Sequence, residues 1–276
     1  MELFTIDTGY FKLDGGAMFG VVPKSIWNKA NPADENNMIR LAMRCLLVQD
    51  GKRLILIDNG IGNKQDDKFL GFYFLHGDDS LEKSLNKHGF TKADITDMVL
   101  THLHFDHCGG SIEWNKDRTA FQTAFPNATY WVAEAHWNES QKPNAREKAS
   151  FLRDNILPIQ ESGQLKLLKE GELFHPEIDL IYSKGHTNQM IHPIIPYQGK
   201  RVVYLADVIP TQAHIPTAYV MGYDVRPLDT MQEKSAILAT AAERGDILFF
   251  EHDPFHAACT VQQTEKGIRL LEQVVI

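Results

Sequence analysis

Three histidines and one aspartate stand within six positions of the stretch THLHFDHCGG, residues 101–110. His102 and His104 are two positions apart, and side chains with this spacing point to the same side of an extended segment. Both imidazoles can therefore reach one cation. Asp106 and His107 follow in the turn ahead of two glycines, and they suit a second, neighbouring cation. The stretch predicts a metal centre with ligands for two neighbouring cations.

Short aliphatic and β-branched runs predict strands, and the segments between them have helical periodicity. The predicted strands are Cys45–Val48, Arg53–Ile57, Ile95–Leu100, Thr129–Val132, Leu180–Tyr182, Arg201–Leu205 and Ile247–Phe250. The predicted helices are Ser80–His88, Ala145–Ile156 and Thr230–Arg244. Strands that alternate with helices indicate an α/β fold.

Four of these strands stop just before a residue that can bind a metal. These residues are His102, His186, Asp207 and His252. Ligand-binding residues gather at the carboxyl ends of strands in open α/β sheets. We therefore expect the four to converge on the stretch at 101–110.

Composition limits the class of partner. The chain has 276 residues, of which 43% are hydrophobic, and we expect a single domain over residues 1–276. Its net charge of −8 disfavours nucleic acid and anionic membranes and leaves a small-molecule substrate. The sequence has no signal-peptide pattern and no apolar window of about eighteen residues, which predicts a cytoplasmic protein.

The motif His102-Leu103-His104-Phe105-Asp106-His107 resembles the HxHxDH signature of the metallo-β-lactamase-fold hydrolases. Four further segments resemble later and earlier motifs of that family, in family order: Asp58–Gly60, Gly185–Thr187, Ala206–Asp207 and Glu251–Asp253. The resemblance implies an αββα sandwich of two similar βα halves, with a dinuclear metal site along one edge.

The resemblance also implies two groups of metal ligands with one residue shared between them. The first group is His102, His104 and His186, the second group is Asp106, His107 and His252, and the bridge is Asp207. Zinc is the metal expected first, and iron, manganese and cobalt are compatible. A bridging hydroxide would attack a carbonyl carbon, with Asp106 as the catalytic residue that orients the water or carries its proton. Asp58 would support a ligand imidazole from behind.

Two segments, Leu13–Gly20 and Asp207–Thr211, look like the lactonase branch of the family, which includes acyl-homoserine lactonases and methyl-parathion-hydrolase-like enzymes. A lactone or related ester is the substrate that this likeness implies. The alternatives are a phosphotriester or phosphodiester hydrolase, a redox enzyme on the same fold, and a metal-stabilised binding protein without catalysis. Pro210 stands where some lactonases carry a tyrosine, which excludes a phenol at that position.

Several other residues are candidates for the substrate pocket. The first set is Met18, Phe19 and Trp27, which either line an acyl pocket or pack into the core. The second set is His214 and Tyr223, loop residues that contact either substrate or solvent. The aromatic run from Phe69 to Phe74 is a lid, a homodimer surface or core. Cys108 is either a ligand or steric filling beside the centre.

Overall fold

The computed structural model describes residues 1–276, with fourteen strands and eight α-helices. The strands are β1 (Glu2–Asp14), β2 (Met38–Asp50), β3 (Arg53–Ile57), β4 (Asp97–Val99), β5 (Ile112–Trp114), β6 (Phe121–Thr123), β7 (Thr129–Ala133), β8 (Leu165–Leu168), β9 (Asp179–Ser183), β10 (Met190–Tyr197), β11 (Lys200–Tyr204), β12 (Ile247–Phe249), β13 (Ala258–Thr264) and β14 (Gly267–Val274). The helices are α1 (Gly15–Phe19), α2 (Lys24–Trp27), α3 (Asp67–Gly71), α4 (Leu81–Lys87), α5 (Phe105–Cys108), α6 (Glu134–Gln141), α7 (Arg153–Glu161) and α8 (Pro227–Arg244). Every predicted strand is present.

The strands form two six-stranded mixed sheets and one small hairpin. The first sheet has the order β1-β2-β3-β4-β7-β8, and the second sheet has the order β14-β13-β12-β11-β10-β9. β3 and β4 run parallel in the first sheet, as do β11 and β12 in the second. Each half of the chain contributes one sheet, as the resemblance implied.

Alternation along the strands explains the four layers. In β2, Leu46 and Val48 belong to the core between the sheets, while Cys45 and Leu47 belong to a second core on the outer face of the first sheet. Successive side chains of a strand point to opposite faces, so a continuous apolar run is buried on both. Helices α4, α6 and α7 border the outer core of the first sheet, and α8 packs on β13 and β14. The αββα sandwich is confirmed.

The predicted helix Ala145–Ile156 is wrong in its first half. Residues 145–150 form turns, and α7 begins only at Arg153. The Asn144 side chain accepts hydrogen bonds from the backbone N–H groups of Arg146 and Glu147, at 2.9 and 3.1 Å. Such a local side-chain acceptor competes with the helical ladder and stabilises a turn. The turns bring Arg146 and Glu147 to the substrate cavity described below.

Strand ends position the site. β3, β4, β9, β11 and β12 all run toward the same edge of the sandwich, and their carboxyl ends lead into the predicted ligand segments. None of the helices has the length and apolar composition needed to cross a bilayer.

Candidate metal centre and substrate cavity

The segment after β4 folds into a tight turn that needs its two glycines. α5 is a single turn, and its backbone continues into Gly109 and Gly110. A Cβ on Gly109 would lie 2.1 Å from the carbonyl oxygen of Ile61, and one on Gly110 would lie 2.3 Å from that of Asn59. Any side chain at these positions would push the loop after β3 away from the centre.

The structure brings together all seven predicted ligands. Possible ligand atoms of the first group lie within 4.8 Å of one another, and so do those of the second group. Asp207 lies between the two groups: its Oδ2 is 3.2 Å from His186 Nε2, and its Oδ1 is 3.0 Å from His252 Nε2. One carboxylate thus faces both groups with a separate oxygen.

β2 supports His252 through backbone pairing across the two sheets. The N–H of Ala42 donates to the carbonyl of His252 at 3.1 Å, and the carbonyl of Ala42 is 2.8 Å from His252 Nδ1. The N–H of Arg44 donates to the carbonyl of Glu251 at 3.0 Å, and its guanidinium donates to two further carbonyls of the 250–253 segment. His252 is therefore fixed to an interior strand of the first sheet.

The hydrogen-bond partners of Nδ1 determine the tautomers of two imidazoles, those of His252 and His186. His252 Nδ1 donates to the β2 carbonyl, and His186 Nδ1 donates to the carboxylate of Asp224 at 2.8 Å. Because these partners only accept hydrogen bonds, the neutral form of each ring has its lone pair on Nε2. His186 Nε2 lies 3.1 Å from His104 Nδ1, and His252 Nε2 lies 3.1 Å from His107 Nε2. Ring nitrogens therefore converge within each group.

Asp58 contacts both groups from the end of β3. Its Oδ2 lies 3.2 Å from His107 Nδ1 and accepts a 2.6 Å hydrogen bond from the Thr101 hydroxyl, which is 3.0 Å from His102 Nδ1. These contacts place protons on both Nδ1 atoms and leave both Nε2 atoms as acceptors. Asp58 thus supports two imidazoles, where the sequence suggested one.

Four supporting residues were not predicted from the sequence. They are Asp224, Glu251, His136 and Glu147. Glu251 immediately precedes His252, and its Oε2 lies 3.0 Å from His107 Nδ1. Burial raises the pKa of Glu251 to about 8, and the neighbouring Asp58 adds to this effect. Only Glu251 had a sequence signal, since it adjoins a predicted ligand at a strand end.

The donor set fits a pair of divalent cations. His102 Nε2 is buried and has no hydrogen-bond partner. The two acceptor nitrogens of His107 and His252 lie 3.1 Å apart, which is repulsive unless a cation or proton lies between them. Burial alone would lower the pKa of both residues, but carboxylates including Asp207 raise it, to about 9 for His252. The carboxylates therefore favour positive charge at these two imidazoles, which bound cations would supply in place of protons.

A cavity of about 340 Å³ opens over this centre. Residues of both groups and Asp207 form its floor. Its apolar wall consists of Leu13, Met18, Leu41, Phe105 and Met221. Its polar wall includes Tyr73, Arg146, Glu147 and Tyr223. A small molecule with an apolar part and a polar reacting group matches this lining.

Of the predicted substrate residues, the structure brings Met18 and Tyr223 to the cavity and leaves the other three behind its wall. The His214 ring stacks on Phe19 at 4.4 Å, and Phe19 stacks on Trp27 at 5.3 Å. His214 Nε2 also lies 2.9 Å from the carbonyl of Met18. The stack of Phe19, Trp27 and His214 is buried and supports Met18 from behind.

The aromatic run divides between cavity and surface. Phe69 and Tyr73 pack against Phe105, with ring centroids 5.5 and 4.6 Å from it, and Tyr73 lines the cavity. Phe72 and Phe74 are exposed. Cys108 is fully buried, and its thiol donates to a backbone carbonyl at 3.4 Å. Burial raises the pKa of that thiol to about 12, which favours packing over ligation.

The two packed sheets with helices on their outer faces form the metallo-β-lactamase fold. Residues 42–252 match the model of the metallo-beta-lactamase superfamily. The chain therefore belongs to this superfamily.

Two solved structures resemble the chain along nearly its whole length. A probable metal-dependent hydrolase from Staphylococcus aureus is 30% identical, with a TM-score of 0.88 over 99% of this chain and 98% of that one. The dizinc quorum-quenching lactonase AidC, solved with its product N-hexanoyl-L-homoserine, is 22% identical, with a TM-score of 0.77 over 99% of this chain and 95% of that one.

An N-acyl homoserine lactonase from Bacillus cereus is 23% identical over 161 residues, which are 55% of this chain and 57% of that protein. The chain thus spans little more than half the length of the curated lactonases that it matches. Lactonases and a probable metal-dependent hydrolase are among its homologues and structural neighbours.

Proposed function

We propose that the chain is a dinuclear metal-dependent hydrolase that opens lactones or cleaves related esters. The position of Asp207 carries this proposal, because its two oxygens face the first and second groups at 3.2 and 3.0 Å. A carboxylate shared in this way is suited to hold two cations side by side.

The first group would hold one divalent cation and the second group the other, with Asp207 as the bridge. Zinc suits these imidazole and carboxylate donors, and iron, manganese and cobalt are compatible. When bound, such a pair polarises a carbonyl oxygen and supplies a hydroxide near neutral pH. Two carboxylates and one hydroxide leave two divalent cations with a net positive charge, which favours a developing oxyanion.

Asp106 is the residue proposed to transfer the proton of the attacking water. Its Oδ2 lies 3.8 Å from both His107 Nε2 and His252 Nε2, and its side chain also lines the cavity. A carboxylate there can orient the attacking water and then carry its proton to the leaving alkoxide.

The cavity wall supports a neutral ester with an apolar acyl part. Met18 and Phe105 offer apolar surface beside the centre. Burial raises the pKa of Tyr73 to about 12 and raises that of Tyr223 as well, so both phenols stay protonated at neutral pH. Their hydroxyls are therefore suited to donate hydrogen bonds to a carbonyl oxygen of the substrate.

The test combines a metal count with a substrate panel. Protein replete with Zn²⁺ is analysed for metal per chain and assayed on homoserine lactones of increasing acyl length, aryl esters, a phosphotriester and a phosphodiester. We expect two metals per chain and turnover of lactones that improves with acyl length. A stoichiometry that never exceeds one refutes the dinuclear centre. Turnover of the phosphotriester with every lactone inert refutes the lactonase assignment.

The expectations of a single domain, of a cytoplasmic location and of a homodimer stay predictions.

A further inference from the structure

His136 lies outside every motif of the sequence, yet it contacts both loops of the first group. It is fully buried on α6. We propose that His136 is a positioning residue that fixes the distance between the loop of His102 and His104 and the loop of His186. This inference rests on the proposed function, because it concerns the metal position that the first group would form.

Two hydrogen bonds carry the inference. The N–H of Leu103, between the two histidines of the first loop, donates to His136 Nε2 at 2.8 Å. His136 Nδ1 lies 2.8 Å from the carbonyl oxygen of Asn188, two residues after His186. An N–H can only donate and a carbonyl can only accept, so a single neutral tautomer, protonated on Nδ1, satisfies both bonds.

The geometry makes the imidazole a spacer of fixed length. The two ring nitrogens are held rigidly apart, so the two loops cannot move independently while both bonds persist. A second connection joins the first loop to β10, which directly follows the loop of His186: the N–H of Ile191 donates to the carbonyl of Thr101 at 3.0 Å. With the His136 bridge and the Ile191–Thr101 bond both present, the loop of His186 cannot rotate relative to the loop of His102 and His104. With the Ile191–Thr101 bond alone, it can.

Loss of the His136 imidazole leaves one backbone group without this partner on each loop. Without His136, the Leu103 N–H and the Asn188 carbonyl lose these partners, and an unpaired N–H in the buried surroundings of Leu103 costs free energy. The loops can recover that energy only by moving toward other partners. Such movement would separate His186 from His104, whose ring nitrogens are 3.1 Å apart.

The experiment measures metal binding with Co²⁺ as the probe. Wild type and His136→Phe are titrated with Co²⁺ against a competing chelator, and the visible absorption of the bound ion is recorded. His136→Phe keeps a ring of similar size and removes both hydrogen bonds. We expect one of the two binding steps to weaken by about 10- to 100-fold, with altered cobalt bands, while the other step is unchanged.

The matched control is His175→Phe. His175 is also buried, at 3% exposure, and also makes a side-chain contact, 3.0 Å to Asp50. Asp50 lies eight residues along β2 from Ala42, or roughly 26 Å in an extended strand, so this contact is far from the centre. We expect His175→Phe to lose stability and to bind Co²⁺ as the wild type does.

A second measurement tests the tautomer without metal. Nitrogen-15 NMR of the histidine rings should show the His136 proton on Nδ1, and a proton on Nε2 would overturn the proposal. Unchanged Co²⁺ affinity and bands in folded His136→Phe would also overturn it. If His136→Phe does not fold, the titration of His136→Asn decides in the same way, because the shorter amide can donate near the position of Nδ1 but cannot reach the position of Nε2. A wild type that binds no Co²⁺ would instead refute the proposed function.

Discussion

The first and second groups differ in what holds them. The second group is tied to sheet strands: His252 pairs with Ala42 of β2, and His107 contacts Asp58 and Glu251 at the ends of β3 and β12. The first group depends on loops for two of its three histidines. His186 is oriented by Asp224 in the long connection to α8, and His104 Nε2 lies 3.7 Å from Glu147 in the turns before α7.

Because of this difference, we expect the two groups to differ in how freely their histidines can move. An imidazole held by strand pairing has little freedom, so the positions of His107 and His252 are fixed by the two sheets. The loops around the first group also form the cavity wall, through Arg146, Glu147, Met221 and Tyr223. Substitutions in these loops can therefore change which substrate the cavity accepts without displacing the second group.

The largest effect is expected for Asp207→Ala, because the two oxygens of Asp207 face the ring nitrogens of His186 in the first group and His252 in the second. We expect metal content below one ion per chain and a loss of hydrolysis on the order of 10³-fold. Elemental analysis and initial rates measure the two quantities. Retention of two metals and full activity would remove Asp207 from the centre.

The next largest effect is expected from removing the carboxylates that orient the histidines, Asp58 and Asp224. Asp58→Asn should weaken both metal positions, because Asp58 contacts His107 directly and His102 through Thr101. Asp224→Asn should weaken only the position of His186. Each loss is expected to be about 10- to 100-fold in metal affinity, measured by chelator competition. If the two variants give the same pattern, the proposed division between strand and loop support is wrong.

The free energy of unfolding should depend on pH through a lysine that holds the connection carrying Asp224. Lys234 of α8 is fully buried and donates to the carbonyls of His214, Pro216 and Tyr219 at 2.8, 3.0 and 2.6 Å. Burial lowers the pKa of Lys234 to about 7, whereas an unfolded lysine titrates near 10.4.

The unfolded chain therefore binds more protons than the folded chain between these pH values, so this group makes stability rise from pH 7 to about 10. The slope is at most about 1.4 kcal/mol per pH unit. Urea unfolding of wild type and Lys234→Met at pH 7 and pH 9 measures it. The variant should lose this part of the slope, and identical slopes would show that Lys234 does not titrate in this range.

The smallest effect concerns the apolar wall. Each buried methylene is worth about 0.8 kcal/mol, close to fourfold in kcat/KM, so the gain per acyl carbon should shrink in Met18→Ala for long-chain lactones only. Phe19→Ala, behind the wall, should keep the chain-length trend and lower the free energy of unfolding by about 3–5 kcal/mol. A flattened trend in Phe19→Ala alone would place Phe19 in the pocket.

The sequence predicted the strands and ligands that local pattern encodes. β3, β4, β11 and β12 are short apolar runs, and each stops just before a polar residue of the centre. β10 was not predicted, because Pro193 and Pro196 interrupt its apolar pattern and proline is rare in strand interiors.

The supporting residues escaped prediction because their partners are distant in the chain. Asp224 lies 38 residues after His186, and His136 lies 33 residues after Leu103. No periodicity or spacing connects such pairs, and only the tertiary fold within each half of the chain brings them together. Asn144 also shows that one side-chain acceptor can replace a predicted helical turn.

The turns that follow Asn144 have a consequence for the end of the reaction. Burial opposes ionisation of Glu147, but His104 and Thr187 lower its pKa to about 2, so the cavity holds a negative charge at neutral pH. Opening a neutral lactone creates a carboxylate beside that charge. Glu147 repels this carboxylate, while the exposed Arg146 at the rim attracts it, so the two side chains together favour movement of the anion toward the rim. Glu147→Gln should therefore show stronger inhibition by added product than the wild type, because only the wild type carries a charge that repels the carboxylate formed by the reaction.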